Sequence, residues 1–597
     1  MKILFMTFYD PCHLGIRQLA SFMKLHNHVV HILQIKNFKY KELSEIPTDV
    51  TSCYLTSNGY SLSSAGDTIF PVSDIENKLL CDFLSDWDPD IIGITNRSPF
   101  NHLIEKCIPI IKAASPSSFI INGGFGPTFN PEIFLRAGSD AVIRGEGEKP
   151  LLNLVEALMQ NKNWKNIDGL SYIENGKVKN NPLEPLMNDL DQLPFSLYDS
   201  NHFSCIEDNE IRHGDMRKEF PISVFNSSYV ILGGRGCIGH CSYCSGGNFR
   251  DMYKEYGFIA PPIRMRSIKN LKEELVYAKN TGEKYIYFAD EYFVRPINEL
   301  KEFLIFYRDH INIPFSLYLS HKQLSEMPEL VDISRDAGLS GLTFGVQTGD
   351  ESFAKKIYNR QNCNKDIIKV INYSLSRRMN VLLHFIGGNP LEDDNIFLNT
   401  LSFVKKCKFD PSYQSNISFN SFMLKLFPGT PLAQKYPHLL DSKSDPKKFF
   451  YRSLLIELAY IANDDILNSV MQDEDMREHP YKLAFLVKQF RRDMHYQYLF
   501  KEIERLEGRE VYFWGCGDLY QYKHHLFQKT RPRCILVDKG DHPDTVNGLP
   551  VRHPDEVLLP EGEKLPIIMF TQTPNKICRT IARRYPEYTD TVACARL

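Results

Sequence analysis

No stretch of this chain stays apolar long enough to cross a bilayer, so a helix-spanning membrane protein is not expected. An excess of one charge is also missing. Lys and Arg number 70 against 73 Asp and Glu, a net charge of −3, which leaves nucleic-acid binding without electrostatic support. The 14 cysteines show no regular disulfide framework, and that points to a reducing, cytoplasmic setting. The opening Met1–Asp10 is apolar only briefly and lacks a small-residue cleavage site. It reads as a first β-strand rather than a signal peptide. What remains is 43% hydrophobic and 24% charged over 597 residues, ordinary globular material for three or four domains.

Three cysteines depart from that background. Cys237, Cys241 and Cys244 stand as C-x3-C-x2-C in Gly-Gly-Arg-Gly-Cys237-Ile-Gly-His-Cys241-Ser-Tyr-Cys244. Random placement of the cysteines produces this spacing in about 0.01 of such chains. Three thiolates this close can hold three irons of a four-iron cluster, and no nearby fourth cysteine completes the set, which leaves one iron open. Structural zinc takes four ligands, usually on a pair of C-x2-C hooks, and one hook is present. Three thiols without metal are the remaining alternative. The apolar Tyr229–Leu232, running into glycines, reads as a strand that delivers a flexible loop. With Tyr243 ahead of the last cysteine, the motif resembles the radical S-adenosylmethionine (SAM) superfamily. The resemblance implies that the open iron of a [4Fe-4S] cluster binds the amino and carboxylate groups of SAM. It also implies a low-potential electron donor, such as flavodoxin or ferredoxin, and cleavage to methionine and a 5′-deoxyadenosyl radical.

Residues 1–165 alternate strands and helices. Strands are expected at Lys2–Phe8, His28–Ile35, Asp90–Thr95, Ser118–Gly124 and Ala141–Arg144, and Ile16, Leu19, Ala20 and Met23 share one helix face. The alternation predicts an α/β fold with a doubly wound, Rossmann-like sheet that binds ligands beyond its strands' carboxyl ends. Asp88-Pro-Asp-Ile-Ile-Gly-Ile, Ile121-Asn-Gly-Gly-Phe-Gly-Pro127 and Asp140-Ala-Val-Ile-Arg-Gly-Glu-Gly-Glu148 resemble the cobalamin-binding domain ahead of many radical SAM cores. That resemblance implies that Gly123, Gly124 and Gly126 let cobalamin lie against backbone. Glu146 and Gly147 stand in the second glycine turn, and Ser98 is placed at the nucleotide side or corrin edge. His13, in Asp10-Pro-Cys-His13-Leu-Gly15, is one residue off both spacings of the D-x-H-x-x-G string of histidine-ligating cobalamin domains. It stands as a lower cobalt ligand or as a loop or capping histidine. Arg97 sits beneath cobalt or on the surface, and a nucleotide-fold domain without cofactor remains open. Residues 166–220, with their prolines and the phrase Asp189-Leu-Asp-Gln-Leu-Pro194-Phe, read as a linker.

Residues 221–435 offer six strands, at Tyr229–Leu232, Tyr285–Phe288, Phe315–Leu319, Leu342–Val346, Val381–Ile386 and Ile417–Leu426. They fit the partial (β/α)6 barrel of the radical SAM core, whose chemistry sits at the strands' carboxyl ends. The family implies that Asp290 and Glu291 accept hydrogen bonds from the SAM ammonium, although two aspartates are commoner there. Gln347, where glutamate is usual, is placed on ribose hydroxyls or methionine polar atoms, or is a satisfied core glutamine. Ile386 and Gly387 resemble the motif that packs against adenine. His384 is catalytic or structural. Residues 436–505 read as a helical segment that covers the barrel mouth or simply packs. Residues 506–597 read as a small Rossmann-like unit, with Gly515-Cys-Gly517-Asp after a strand, a weak cofactor fingerprint.

The expectation is a cobalamin-dependent radical SAM enzyme that moves a methyl group from methylcobalamin to an unactivated carbon of a small molecule or peptide. A cobalamin radical enzyme that cyclises or rearranges without methylating is the alternative within the class. A non-catalytic iron–sulfur carrier or sensor is the alternative outside it.

Overall fold

A computed structural model describes the chain apart from residues 11–12, 37–49, 57–58, 65–70, 96–100, 216, 218–227, 378, 408–416, 428, 440–444, 539–541, 572–576, 578–579, 582–583, 589 and 595–597. The first eleven strands are β1 (Lys2–Phe8), β2 (Val29–Ile35), β3 (Val50–Thr56), β4 (Gly59–Ser64), β5 (Ile91–Thr95), β6 (Phe119–Gly123), β7 (Ala141–Ile143), β8 (Leu170–Glu174), β9 (Lys177–Asn180), β10 (Phe203–Glu207) and β11 (Glu210–His213). Nine of them form one sheet in the order β11-β10-β2-β1-β5-β6-β7-β8-β9. Its centre, β2-β1-β5-β6-β7, is parallel. The apolar runs at Ile3–Met6 and Ile91–Ile94 make this possible. Their alternate side chains feed separate apolar clusters on the two faces of the sheet. Strand order reverses between β1 and β5, and the crevice at their carboxyl ends is where such a sheet takes a ligand.

Two expected boundaries are corrected. Residues 166–220 are not a linker: β8 and β9 extend one edge of the sheet, while β10 runs parallel to β2 and carries β11 beyond it. Edge strands expose unpaired backbone groups, and the returning chain covers both edges. The other correction concerns residues 50–64. The β3–β4 hairpin leaves the N-terminal unit and pairs antiparallel with the last barrel strand.

That barrel contains β12 (Tyr229–Ile231), β13 (Gly234–Gly236), β14 (Ile263–Met265), β15 (Ile286–Phe288), β16 (Phe315–Ser316), β17 (Leu342–Gln347), β18 (Val381–Gly387) and β19 (Ile417–Met423). Strands β12-β15-β16 and β17-β18-β19 are two parallel sets, joined by a bridge from Phe315 to Leu339. Strands β13 and β14 pair antiparallel and flank the cysteine loop and the helix that follows it. Leu342, Phe344, Leu383, Phe385 and Phe419 point into the helical layer, so the alternate positions face the lumen. The helix Pro446–Ile461 is buried along almost all its length in that core, against β19 and β3. It is a packing element of the barrel wall.

The C-terminal unit has β20 (Glu510–Trp514), β21 (Arg531–Leu536), β22 (Thr545–Val546), β23 (Leu549–Arg552), β24 (Ile567–Phe570) and β25 (Thr591–Cys594), in the order β22-β23-β21-β20-β24-β25. Every pair except β22–β23 is parallel, the order of a doubly wound sheet.

A buried ion network joins the N-terminal sheet to the barrel. Arg17, on the helix after β1, binds both oxygens of Asp215 at 2.9 Å. Arg217 reaches the same carboxylate at 2.8 Å and Glu283, ahead of β15, at 3.2 Å. The Tyr198 ring lies 4.6 Å from one guanidinium and 4.3 Å from the other. Burial raises the Asp215 carboxyl, but the two guanidiniums outweigh it and hold it at about 2. Asp215→Asn leaves two buried cations without their counter-ion, with an expected loss of about 3–5 kcal/mol at pH 7 in urea unfolding. Because the folded value is depressed, the stabilisation is complete above the unfolded carboxyl value near 4 and is lost as pH falls through 2. The gap between wild type and variant therefore closes across that window.

Candidate active site

The cysteine loop runs from β13 to the helix Ser245–Glu255, which Cys244 caps through Gly246 N–H. Gly239 N donates to Cys237 Sγ at 3.3 Å, and Gly246 N to Cys244 Sγ at 3.4 Å. Arg360 Nη1 reaches Cys241 Sγ at 3.5 Å. A Cβ at Gly239 would stand 3.4 Å from Cys237 Sγ and 3.6 Å from Cys241 Sγ, so glycine keeps the space between the sulfurs clear. Burial raises the Cys237 thiol, and it pushes Cys244 up to about 11. Among the described residues no three His, Cys, Asp or Glu side chains converge as on one metal ion. Ligands to different irons of a cluster stand farther apart than ligands to one ion, so three thiols with amide and guanidinium donors aimed at them suit a cluster.

A cavity of ≈ 370 Å³ faces this loop across the domain junction. Gly123, Gly124, Glu146 and Gly147 line it from the N-terminal sheet, and Cys237 and Glu291 from the barrel. It opens at the reversal between β1 and β5, where Phe5, His13 and Thr95 contribute to its wall. Gly124 has φ +106. A Cβ at Gly123 would meet nothing closer than Ile143 at 4.0 Å, which leaves backbone open to a flat ligand. Gly126 is placed differently from expectation. It is buried within the short helix Phe125–Phe129 and is not on the cavity wall. Ser98 and Arg97 lie outside the described residues.

His13 is the N-cap of the helix Leu14–Leu25. Its Nδ1 accepts from Ile16 N at 3.4 Å, and Nε2 lies 3.4 Å from Thr95 Oγ1. Thr95 in turn donates to Gly123 O at 3.1 Å. An imidazole that accepts at Nδ1 carries its proton at Nε2, so no lone pair is left for cobalt while the cap holds. The capping alternative is the one built here.

Glu146 lines the cavity, but its carboxylate is committed to protein. Arg264 binds both its oxygens, at 3.0 and 2.5 Å, and Arg235 approaches at 3.1 Å. Arg235 also binds Glu148 at 2.5 Å. Burial raises Glu146, and the two guanidiniums reverse that and hold it below the carboxylate range. Asp290, by contrast, is not on the cavity wall. Its Oδ2 accepts from Gly233 N at 2.8 Å, and burial lifts the carboxyl to about 7. Asp290 thus braces the glycine turn ahead of the cysteines. Glu291 is the carboxylate that opens on the cavity, ringed by enough protein to sit above its ordinary range.

Gln347, Ile386 and Gly387 lie on a separate small cavity of ≈ 20 Å³, with Glu392 and Ser421. Gln347 has φ +67, a conformation glycine favours, at the end of β17. Ile386 packs with Tyr243 and Tyr358, which ties this region to the cysteine loop. Arg360 completes the link, from Cys241 to Gly345 O at 2.7 Å. Sequence reasoning missed Arg235, Arg264 and Arg360. Arg235 was visible two residues before Cys237; the other two carry no motif.

Gly145 has φ +89, and a Cβ there would stand 2.2 Å from Tyr253 Oη, on a buried ring. Gly145→Ala is expected to cost about 2 kcal/mol or more of stability. Adding Tyr253→Phe should recover part of that loss, read by thermal unfolding. No recovery would place the whole cost in the backbone.

Residues 231–404 match the Radical SAM superfamily. The chain is 27% identical over 345 residues to an uncharacterised methyltransferase of Pyrococcus horikoshii, across 56% of this chain and 68% of that protein. It is 27% identical over 308 residues to the anaerobic magnesium-protoporphyrin IX monomethyl ester cyclase of Rubrivivax gelatinosus, across 49% of this chain and 50% of that one. The chain thus spans about half to two thirds of these relatives. In fold it resembles the radical SAM methyltransferase TsrM of Kitasatospora setae, solved with cobalamin and a [4Fe-4S] cluster. The TM-score is 0.54 at 16% identity, over 73% of this chain and 78% of that one. A three-cysteine loop on an open barrel, facing a glycine-turned parallel sheet, belongs with these likenesses: residues 231–404 form a radical SAM domain, and the chain shares the fold of a radical SAM methyltransferase.

Proposed function

We propose that this enzyme transfers a methyl group to an unactivated carbon of a small-molecule or peptide substrate, with cobalamin and SAM as cofactors. The observation that carries the proposal is the ≈ 370 Å³ cavity, whose wall joins the glycine turns of the N-terminal sheet to Cys237 and Glu291. Cys237, Cys241 and Cys244 hold the [4Fe-4S] cluster, and Glu291 accepts from the SAM ammonium. Gly123, Gly124 and Gly147 admit the corrin close to backbone. Bound there, cluster and SAM supply a hydrogen-abstracting radical, and cobalamin supplies a methyl group. The protein's part is positional. It sets the groups in one cleft, excludes water and fixes their separation through the junction at Glu146. Electrons come from a low-potential donor such as flavodoxin or ferredoxin.

Similarity to the ester cyclase favours a second reading, ring closure or rearrangement without methyl transfer. The two differ in product mass by one methylene.

Anaerobic reconstitution is expected to give about four irons and one corrin per chain, with 5′-deoxyadenosine formed on reduction. Cys241→Ala should abolish 5′-deoxyadenosine. A loaded, reduced protein that never cleaves SAM overturns the radical reading; iron without corrin removes methyl transfer and leaves the core assignment standing.

A further inference from the structure

Arg360 follows the helix Glu351–Lys356 and lies 119 residues from Cys241 in sequence. Its segment is nevertheless laced to the cysteine loop. Ser242 N donates to Tyr358 O at 3.0 Å, and Asn359 Nδ2 to His240 O at 2.8 Å. The guanidinium is held on several sides. Nη2 donates to Gly345 O at 2.7 Å, Nη1 to the Tyr243 hydroxyl at 3.4 Å, and Nε to Asn362 Oδ1 at 3.4 Å. The Tyr292 hydroxyl is a further partner. All these acceptors are neutral, and among the described residues no carboxylate pairs with Arg360. The one thiol it meets is that of Cys241, with Nη1 3.5 Å from Sγ. The other two cysteines differ: Cys237 and Cys244 accept from amides of their own loop. Arg250, the second guanidinium at the loop, donates to Cys237 O at 3.3 Å and to the His240 ring, not to a sulfur. Of the three, Cys241 is the one with a charged donor on its sulfur.

Three thiolates make a bound cluster anionic, and uptake of one electron adds a further negative charge. A fixed cation within hydrogen-bond reach of one of those sulfurs favours the reduced form. Arginine keeps its charge at any working pH, and a guanidinium clamped by neutral acceptors has no carboxylate to cancel its field. Resting on the cluster assignment above, we propose that Arg360 sets the reduction potential of the cluster: its guanidinium, locked between Gly345 O and Cys241 Sγ, raises that potential and brings the cluster within reach of its donor. The electron passes from a low-potential one-electron donor to the cluster, and no bond forms or breaks at Arg360. Glu291 works in the opposite sense, since its charge bears on Cys237 and Cys244.

The test is a redox titration of the reconstituted full chain without SAM, followed by the EPR signal of the reduced cluster, with iron counted on each sample. Arg360→Gln is expected to make reduction about tenfold less favourable, a fall of about 59 mV for one electron. Arg360→Lys keeps a charge and should recover part of that fall. Arg250→Gln removes a cation that touches no sulfur and should shift the potential less. An unchanged potential in Arg360→Gln at full iron content overturns the inference, as does a fall of equal size in Arg360→Lys or in Arg250→Gln. If Arg360→Gln loads no cluster, Asn362→Asp takes its place, since a carboxylate beside Nε offsets the charge while the guanidinium remains. A lower potential there supports the inference and an unchanged one overturns it. Weaker SAM binding by Arg360→Gln at an unchanged potential would assign Arg360 to SAM instead, which also overturns it. The iron content and EPR signal of the wild type report on the cluster reading, and 5′-deoxyadenosine formation on the radical reading, so each can fail alone.

Discussion

Two guanidinium groups reach from the paired strands β13 and β14, which flank the cysteine loop, to one carboxylate in the turn after β7. Arg235 and Arg264 belong to the barrel, and Glu146 belongs to the N-terminal sheet. Glu148 takes the far side of Arg235. These charges are largely withdrawn from water, so each depends on the others. Loss of one leaves the rest buried and unpaired, which in such sites costs several kcal/mol. The geometry of the cavity follows from this contact. The same turn that contributes Glu146 places Gly145 under Tyr253 and Gly147 against Leu19. Strand β13, which carries Arg235, leads directly into Cys237, and β14, which carries Arg264, pairs with it from beyond the helix Ser245–Glu255.

The junction does not stand alone. The N-terminal unit and the barrel are interwoven through the chain itself. The β3–β4 hairpin, drawn from within the first unit, closes the free edge of β19. The segment that follows β7 returns to cover both edges of the first sheet before it enters the barrel. Arg17, Asp215, Arg217 and Glu283 then lock the seam with a dry network around Tyr198. Such a seam holds the glycine turns of the sheet and the cysteine loop of the barrel at one separation.

Parts of the site were readable because their chemistry is local. The three cysteines of the C-x3-C-x2-C loop fall within eight consecutive residues, so spacing alone carries the argument. The glycine turns at 123–124 and 145–147 were readable because positive φ and close approach are properties of single residues. Glu146 and Asp290 were assigned to ligands from their motifs, and both carboxylates are instead bound to protein, Glu146 by arginines 89 and 118 residues away and Asp290 by the amide of Gly233. Nothing near either residue in sequence announces these partners. Arg360 shows the same limit, since it meets Cys241 across 119 residues. The linker failed as a reading for a related reason. Prolines and acids marked the connection, but the burial of Phe203–Glu207 comes from a strand formed much earlier in the chain.

The cysteine loop, the α/β class and the order of sheet, barrel and C-terminal unit were therefore set by local pattern: thiol spacing, strand–helix alternation and glycine in turns. Which carboxylate faces the cavity and which is spent on bracing, where residues 50–64 pair, and how the two halves meet were decided by folding. Those questions turn on desolvation and long-range ion pairing, whose energies depend on neighbours that only the tertiary structure brings together.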